Sequence, residues 1–383
     1  MLQPVYFFQF MATGVSMAFL SPYLRGMGLS GKQIATVLAS VPLLNMGMPL
    51  AWAWLADHTH RHARVLSVAA LGAFAGFVAF TMARTFRGML LGYFCYATFG
   101  VGIGALVDSI AIARVHAGAD YGRLRVWGSI GFVVSSVGAG ARLTARASRA
   151  ADPLVPILIA GAFLGLFGAS LQLRGTGEAR ARPRLADVRA LLADRKFRLL
   201  LIVAPLHWIG CAPYNTFFGI FVKDRGLPPI VLGTALATGV VAEMFILMAF
   251  GRLHRRYGIE TLLVVAFAGT SLRWALMPLV SHTAAVVGLQ LFHGLTFGLF
   301  WGAGIALVGE RVPPALRATG HSLFVVAMLG LGNVLGYWAT GLIYDAAHSV
   351  APAFLAASAL ELVPLALMLG AQRRARARAE PAA

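Results

Sequence analysis

The stretch Leu24-Arg25-Gly26-Met27-Gly28-Leu29-Ser30-Gly31-Lys32-Gln33-Ile34-Ala35-Thr36-Val37-Leu38-Ala39-Ser40 returns 198 residues later as Val222-Lys223-Asp224-Arg225-Gly226-Leu227-Pro228-Pro229-Ile230-Val231-Leu232-Gly233-Thr234-Ala235-Leu236-Ala237-Thr238. Five of the 17 positions are identical: Gly28/Gly226, Leu29/Leu227, Thr36/Thr234, Leu38/Leu236 and Ala39/Ala237. Each copy reads as the end of an apolar helix, a glycine turn and the start of a second helix. A repeat of this kind predicts a chain built from two copies of one helical unit.

The flanking sequence says what that unit is. A hydrocarbon core of about 30 Å takes about 20 residues of helix to cross. Runs that meet this length are 2–24, 33–56, 65–83, 89–113, 128–144 and 154–173, then 199–222, 230–251, 261–280, 284–308, 319–344 and 351–370. The fold class expected is an all-α polytopic membrane protein with twelve transmembrane helices in two parallel six-helix repeats, since an even number of spans per repeat preserves orientation. Residues 1–173 form the expected N-terminal bundle, 174–198 a cytoplasmic linker, 199–370 the C-terminal bundle and 371–383 a basic cytoplasmic tail.

Composition supports the same class. Of the 383 residues 59% are apolar and 12% charged, about half the charge of a soluble domain. The mean hydropathy is +0.77. These figures exclude a disordered chain, a coiled coil, a disulfide scaffold and an ordinary soluble enzyme. A net charge of +18 in a soluble protein would point to nucleic acid. Here the connections after even-numbered spans, with the tail, hold 22 of the 32 Lys and Arg, and those after odd-numbered spans hold nine. By the positive-inside rule this excess marks the cytoplasmic face and puts both termini there. The location expected is the plasma membrane of a bacterium. No cleavable signal peptide is visible, because the first apolar run has no basic stretch before it. Cys95 and Cys211 lie inside apolar runs and read as packing residues, with no metal site and no cofactor expected.

Three stretches carry a resemblance. Ala53-Trp54-Leu55-Ala56-Asp57-His58-Thr59-His60-Arg61 follows span 2 and matches, at Asp57 and Arg61, the loop signature Gly-x-x-x-Asp-Arg-x-Gly-Arg of the major facilitator superfamily. Asp120-Tyr121-Gly122-Arg123-Leu124-Arg125-Val126-Trp127-Gly128-Ser129-Ile130-Gly131-Phe132 resembles the entry to span 5 in phenylpropionate-permease-like transporters and their oligosaccharide and nucleoside symporter relatives. Phe292-His293 through Phe297-Gly298, with Pro313-Pro314 through Gly320-His321, is similar to the same group. The resemblance implies a proton-coupled or facilitative solute carrier. It implies gate or conformational roles for Asp57, Arg61, Asp108 and Arg125, with Arg114 or Arg125 opposite Asp108.

Charges inside apolar spans are costly and invite a functional reading. Glu243 in span 8 and Arg273 in span 9 lie at similar depth and are expected to pair. Gln290 and His293 share a face of span 10, and histidine titrates where proton coupling needs it. Span 7 offers His207, Trp208, Tyr214 and Asn215 between the helix breakers Pro205 and Pro213. These eight are the candidate proton-coupling and substrate residues. Glu361 in span 12 is expected to be structural or to face another subunit. The glycines at 100–104 and 330–336 follow no strand and read as helix-packing positions rather than nucleotide loops.

The function expected is secondary active transport by alternating access, in the form of proton symport of a small, possibly aromatic, carboxylic acid. A sugar or nucleoside symporter and drug efflux remain as alternatives. A membrane-embedded enzyme or a non-transporting sensor stands further off, since no HExxH, GxSxG or ATP-binding pattern occurs. The partners expected are a small-molecule substrate, protons and membrane lipid, with no nucleic acid, and the protein is expected to be a monomer.

Overall fold

The computed structural model describes residues 2–116, 121–147, 151–173, 189 and 191–379. Most of the expected linker, the end of the tail and Asp120 lie outside the described residues, as does the side chain of Arg114.

Among the described residues the fold is all-helical, with eleven helices long and apolar enough to cross a membrane. They are span 1 Gln3–Gly26, span 3 His62–Met82, span 4 Phe86–Ala111, span 5 Arg123–Ala145, span 6 Leu154–Leu171, span 7 Arg195–Asp224, span 8 Pro229–Tyr257, span 9 Ile259–Leu279, span 10 Thr283–Arg311, span 11 Thr319–Ala347 and span 12 Ala351–Arg374. A twelfth crossing, span 2, is the bent pair Gly31–Asn45 and Met48–Thr59. The sequence reads span 2 as one continuous helix, but its two parts meet at 44°. The break falls at Gly47, ahead of Pro49 in the first turn of the second part. Proline has no N–H to donate and sits comfortably only at a helix start, so the new helix begins there.

The repeated stretch folds the same way twice. Gly28 has φ +87° and Gly226 φ +69°. Gly28 N–H donates to the Arg25 carbonyl and Gly226 N–H to the Lys223 carbonyl, both at 2.9 Å. Leu29 and Leu227 then donate to the carbonyls of Leu24 and Val222, both at 3.3 Å. This is the paired bonding of a Schellman helix end, which needs a left-handed residue and so selects glycine. After the first turn Ser30 caps the next helix, its hydroxyl accepting from Gln33 N–H and the Gln33 side chain accepting from Ser30 N–H.

Two compact units result. The first comprises Met1–Arg180, Asn215–Ala237 and Tyr337–His348; the second comprises Ala181–Tyr214, Thr238–Gly336 and Ser349–Ala383. The first unit packs spans 3, 4 and 6 through a ring cluster of Phe77, Phe80, Tyr93, Tyr96 and Phe163, with centroids 5.0–6.3 Å apart. In the second unit Gly332 and Gly336 lie against the backbone of Pro205 and Ile209, so span 11 seats closely on span 7. That is the packing use foreseen for these glycines. Large apolar side chains such as Met82, Leu91, Met248 and Leu279 are exposed, as lipid-facing positions require. Cys95 is exposed rather than packed inside.

Candidate functional site

The second unit gathers ionisable groups from five spans. Arg273 is wholly buried, with its guanidinium 4.4 Å from the ring centres of both Tyr214 and Trp274. Its Nη2 donates to Gln290 Oε1 at 2.5 Å, and its Nη1 reaches Thr296 Oγ1 and His293 Nδ1, each at 3.3 Å. A guanidinium can only donate, so His293 Nδ1 accepts and its hydrogen sits on Nε2. That Nε2 points to Glu243, at 3.7 Å. His293 therefore stands between Glu243 and Arg273, the two residues expected to pair directly. The side chain of Glu243 is 21% exposed. His293, Phe297 and Trp301 stack in sequence along span 10, at 5.8 Å per step and nearly parallel.

Beyond Thr296 the network continues to a second carboxylate. His207 Nε2 is 2.9 Å from the Thr296 carbonyl oxygen, and His207 Nδ1 is 2.8 and 3.0 Å from the two oxygens of Glu361. Both side chains are 0% exposed. Gly210, one turn along span 7, makes room for the carboxylate: a Cβ there would stand 2.6 Å from Glu361 Oε1. Cys211, read from sequence only as a packing residue, has its Sγ 3.8 Å from His207 Nε2. One helical turn separates the two residues, which puts them on one face. The donor atoms of His207, Cys211 and Glu361 lie within 4.8 Å of one another and have the chemistry of a metal site. Both imidazole nitrogens already have hydrogen-bond partners, which favours an acid–base pair over a metal centre.

The remaining span 7 candidates divide. Trp208 and Tyr214 are buried, Trp208 beside Phe297 and Phe300, and Tyr214 beside Trp274 and His293. Asn215 is half-buried in the π-helical turn Pro213–Phe217 and falls in the first unit. Similar π-helical turns interrupt span 10 at Gly294–Leu299 and span 11 at Val326–Gly332. A cavity of about 320 Å³, lined by Lys196, Glu260, Leu307, Met368 and Gln372 among others, is separate from this network.

The first unit has its own smaller cluster. Tyr6 donates its hydroxyl to Asp108 at 2.8 Å, while Arg125 lies 4.1 Å over the ring of Phe10 and 5.9 Å from that of Tyr6. Asp57 meets His62 Nε2 at 2.9 Å across a turn in which His60 takes φ 52°. Arg61 is exposed and makes no side-chain cap on the helix that follows.

The same unit is fastened at the repeat turns. Arg25 binds Asp224 at 2.6 Å and lies over Tyr344. Asp345 accepts from the backbone N–H of Gly31 at 2.5 Å and of Lys32 at 2.8 Å. A carboxylate on the free N–H groups of a helix start is favoured by both hydrogen bonding and the helix dipole. Ile230 N–H donates to Thr144 Oγ1 at 3.0 Å. Spans 1, 2 and 5 are thus tied to the adjoining ends of spans 7, 11 and 8.

Residues 1–356 match the profile described as the MFS_1 like family. The chain is 28% identical over 341 residues to the maltose permease of Geobacillus stearothermophilus, covering 87% of this chain and 83% of that one. To a protein of Escherichia coli K12 named "Probable 3-phenylpropionic acid transporter" it is 25% identical over 308 residues, 80% of this chain and 81% of the other. The crystal structure of nucleoside transporter NupG has the same fold, with a TM-score of 0.84 at 19% identity, covering 96% of this chain and 97% of the other.

Proposed function

Because the chain belongs to the MFS_1 like family and is a multi-pass membrane transporter, we propose that it imports a hydroxyl-rich ring solute, a sugar or a nucleoside, together with a proton. The observation that carries this reading is which charge is accessible. Arg273 is sealed by Gln290, Tyr214 and Trp274, whereas Glu243 is partly exposed beside the rings of His293, Phe297 and Trp301. A carboxylate accepts from solute hydroxyls and repels an anion, and flat rings stack on a sugar or base face. The gap of 3.7 Å from Glu243 to His293 exceeds a direct hydrogen bond, so His293 does not close off the carboxylate. Relatives named as a maltose permease and a nucleoside permease support the same class.

An aromatic carboxylic acid is the second reading. The half-buried Arg125 over Phe10, and the relative named for 3-phenylpropionic acid, favour it. Protein in liposomes, assayed with maltose, uridine and 3-phenylpropionate, separates the two. Uptake of maltose or uridine is expected, and uptake of 3-phenylpropionate alone would replace the first reading by the second. The charge bias of the connections supports cytoplasmic termini in a bacterial inner membrane, with 1–173 and 199–370 as the two bundles that alternate.

A further inference from the structure

His207 and Glu361 form the most deeply buried acid–base pair among the described residues, and its geometry fixes its proton count. The Thr296 carbonyl can only accept, so His207 Nε2 carries a hydrogen. His207 Nδ1 stands 2.8 Å from a Glu361 oxygen, a separation at which one of the two atoms must carry another. With both bare, two lone pairs would face each other inside an apolar bundle, and the pair would hold a net negative charge with no water beside it. The arrangement seen is therefore the loaded one, neutral overall and bonded on every side.

The charges of the whole network obey the same count. Glu243 and Glu361 are two carboxylates and Arg273 is one guanidinium, so the set is neutral only when the two histidines and two acids hold one extra proton. Thr296 joins the halves: its carbonyl accepts from His207 and its hydroxyl from Arg273. If the proton leaves, Arg273 is the cation that Thr296 links to this side of the network, and turning toward Glu361 draws it away from Gln290 and His293. Among the described residues, the groups seen against the pair are uncharged side chains: span 10 adds Phe300, span 9 Phe267, and span 7 Trp208 and Cys211, while span 11 lays Gly332 and Gly336 against span 7.

We propose that the His207–Glu361 pair is the seat of the coupling proton, and that Arg273 passes its occupancy to Glu243 through Thr296 and His293. This rests on the proton-symport reading above and gives the two carboxylates separate tasks. Glu361 holds the proton away from the solute, and Glu243 meets the solute.

The test uses the full chain reconstituted in liposomes with maltose, uridine or 3-phenylpropionate as solute. A pH gradient of about one unit supports up to about tenfold accumulation at one proton per solute, about 1.4 kcal/mol. Glu361→Gln is expected to cut accumulation to the level reached without a gradient and to abolish solute-induced alkalinisation outside, while counterflow persists. The double variant His207→Asn with Glu361→Gln places neutral amides at both positions and guards against misfolding of the single variant; the same outcome is expected. Gly210→Ala, which crowds the carboxylate, is expected to uncouple in part. Glu243→Gln is expected to lose counterflow as well, so failure of the solute reading shows there instead. Infrared difference spectra of the purified protein between acid and alkaline buffer give a readout independent of solute. A titrating buried carboxyl is expected in the wild type and not in Glu361→Gln. Full gradient-driven accumulation in either Glu361 variant, or unchanged infrared spectra in Glu361→Gln, would overturn the proposal.

Discussion

Spans 1, 3, 4, 5 and 6 run as uninterrupted α-helices, whereas spans 7, 10 and 11 each contain a π-helical turn. The regular spans pack through rings and small residues, with polar contacts such as Tyr6–Asp108 between spans 1 and 4 and Ser170–Ser67 between spans 6 and 3. The interrupted spans carry part of the network, with Tyr214 in one π turn and Thr296 in another, while Glu243, Arg273 and Glu361 stand on the α-helical stretches of spans 8, 9 and 12. A π turn shifts the register of side chains and carbonyls within a helix, and such turns are frequent at functional sites. The contrast teaches that the two copies of one helical plan differ in use: the first serves mainly packing, while in the second π turns set Tyr214 and Thr296 among charges borne by regular helices.

The comparison can be broken at several points. Arg273→Met removes the one cation from a buried set that holds two carboxylates, and should cost several kcal/mol of stability and all transport. Thermal unfolding in detergent with an uptake assay would show this, and near-normal uptake would mean the network is not the working part. Glu243→Gln should lower uptake by about a hundredfold through lost hydrogen bonds to the solute, two charge-assisted bonds being worth about 3 kcal/mol. Asp345→Ala strips two bonds from the start of span 2 and should loosen the fastened end of the first unit, seen as a broader distance distribution between spin labels at Lys32 and Trp338. Tyr6→Phe should change uptake only a few-fold, since a single hydroxyl bond is worth about 1 kcal/mol. Gly28→Ala and Gly226→Ala should each destabilise by about 1 kcal/mol, and by equal amounts if the two turns are true counterparts.

Much of the fold was legible because the length of an apolar run is a property of the sequence alone. The glycine turns were legible too, as Gly28 and Gly226 answer one backbone requirement twice. The bend in span 2 was not, although Gly47 and Pro49 mark it, because apolar content runs straight through them. Single charges in apolar spans pointed to Glu243 and Arg273, but His293 as the group between them depends on how spans 8, 9 and 10 face one another. Glu361 shows the limit most plainly. Its partner His207 was a candidate proton-coupling or substrate residue, but it lies 154 residues away and nothing in the spacing joins the two. The i, i+4 spacing of His207 and Cys211 was present in the sequence and would have marked that face of span 7. The π turns left no pattern in residue type that separates them from ordinary helix.

The Asp345 contact also has a consequence for biosynthesis. Gly31 and Asp345 are 314 residues apart, so the acid leaves the ribosome long after all six spans of the first half have been made. The first half must therefore enter the bilayer with Ser30 already capping span 2 but with the Gly31 and Lys32 N–H groups met by water until span 11 is inserted. A nascent or truncated chain ending before Asp345 would contain every helix of that half and the Arg25–Asp224 contact, yet lack the carboxylate on the start of span 2. The last two hydrogen bonds at this end thus form only after most of the second half has been made.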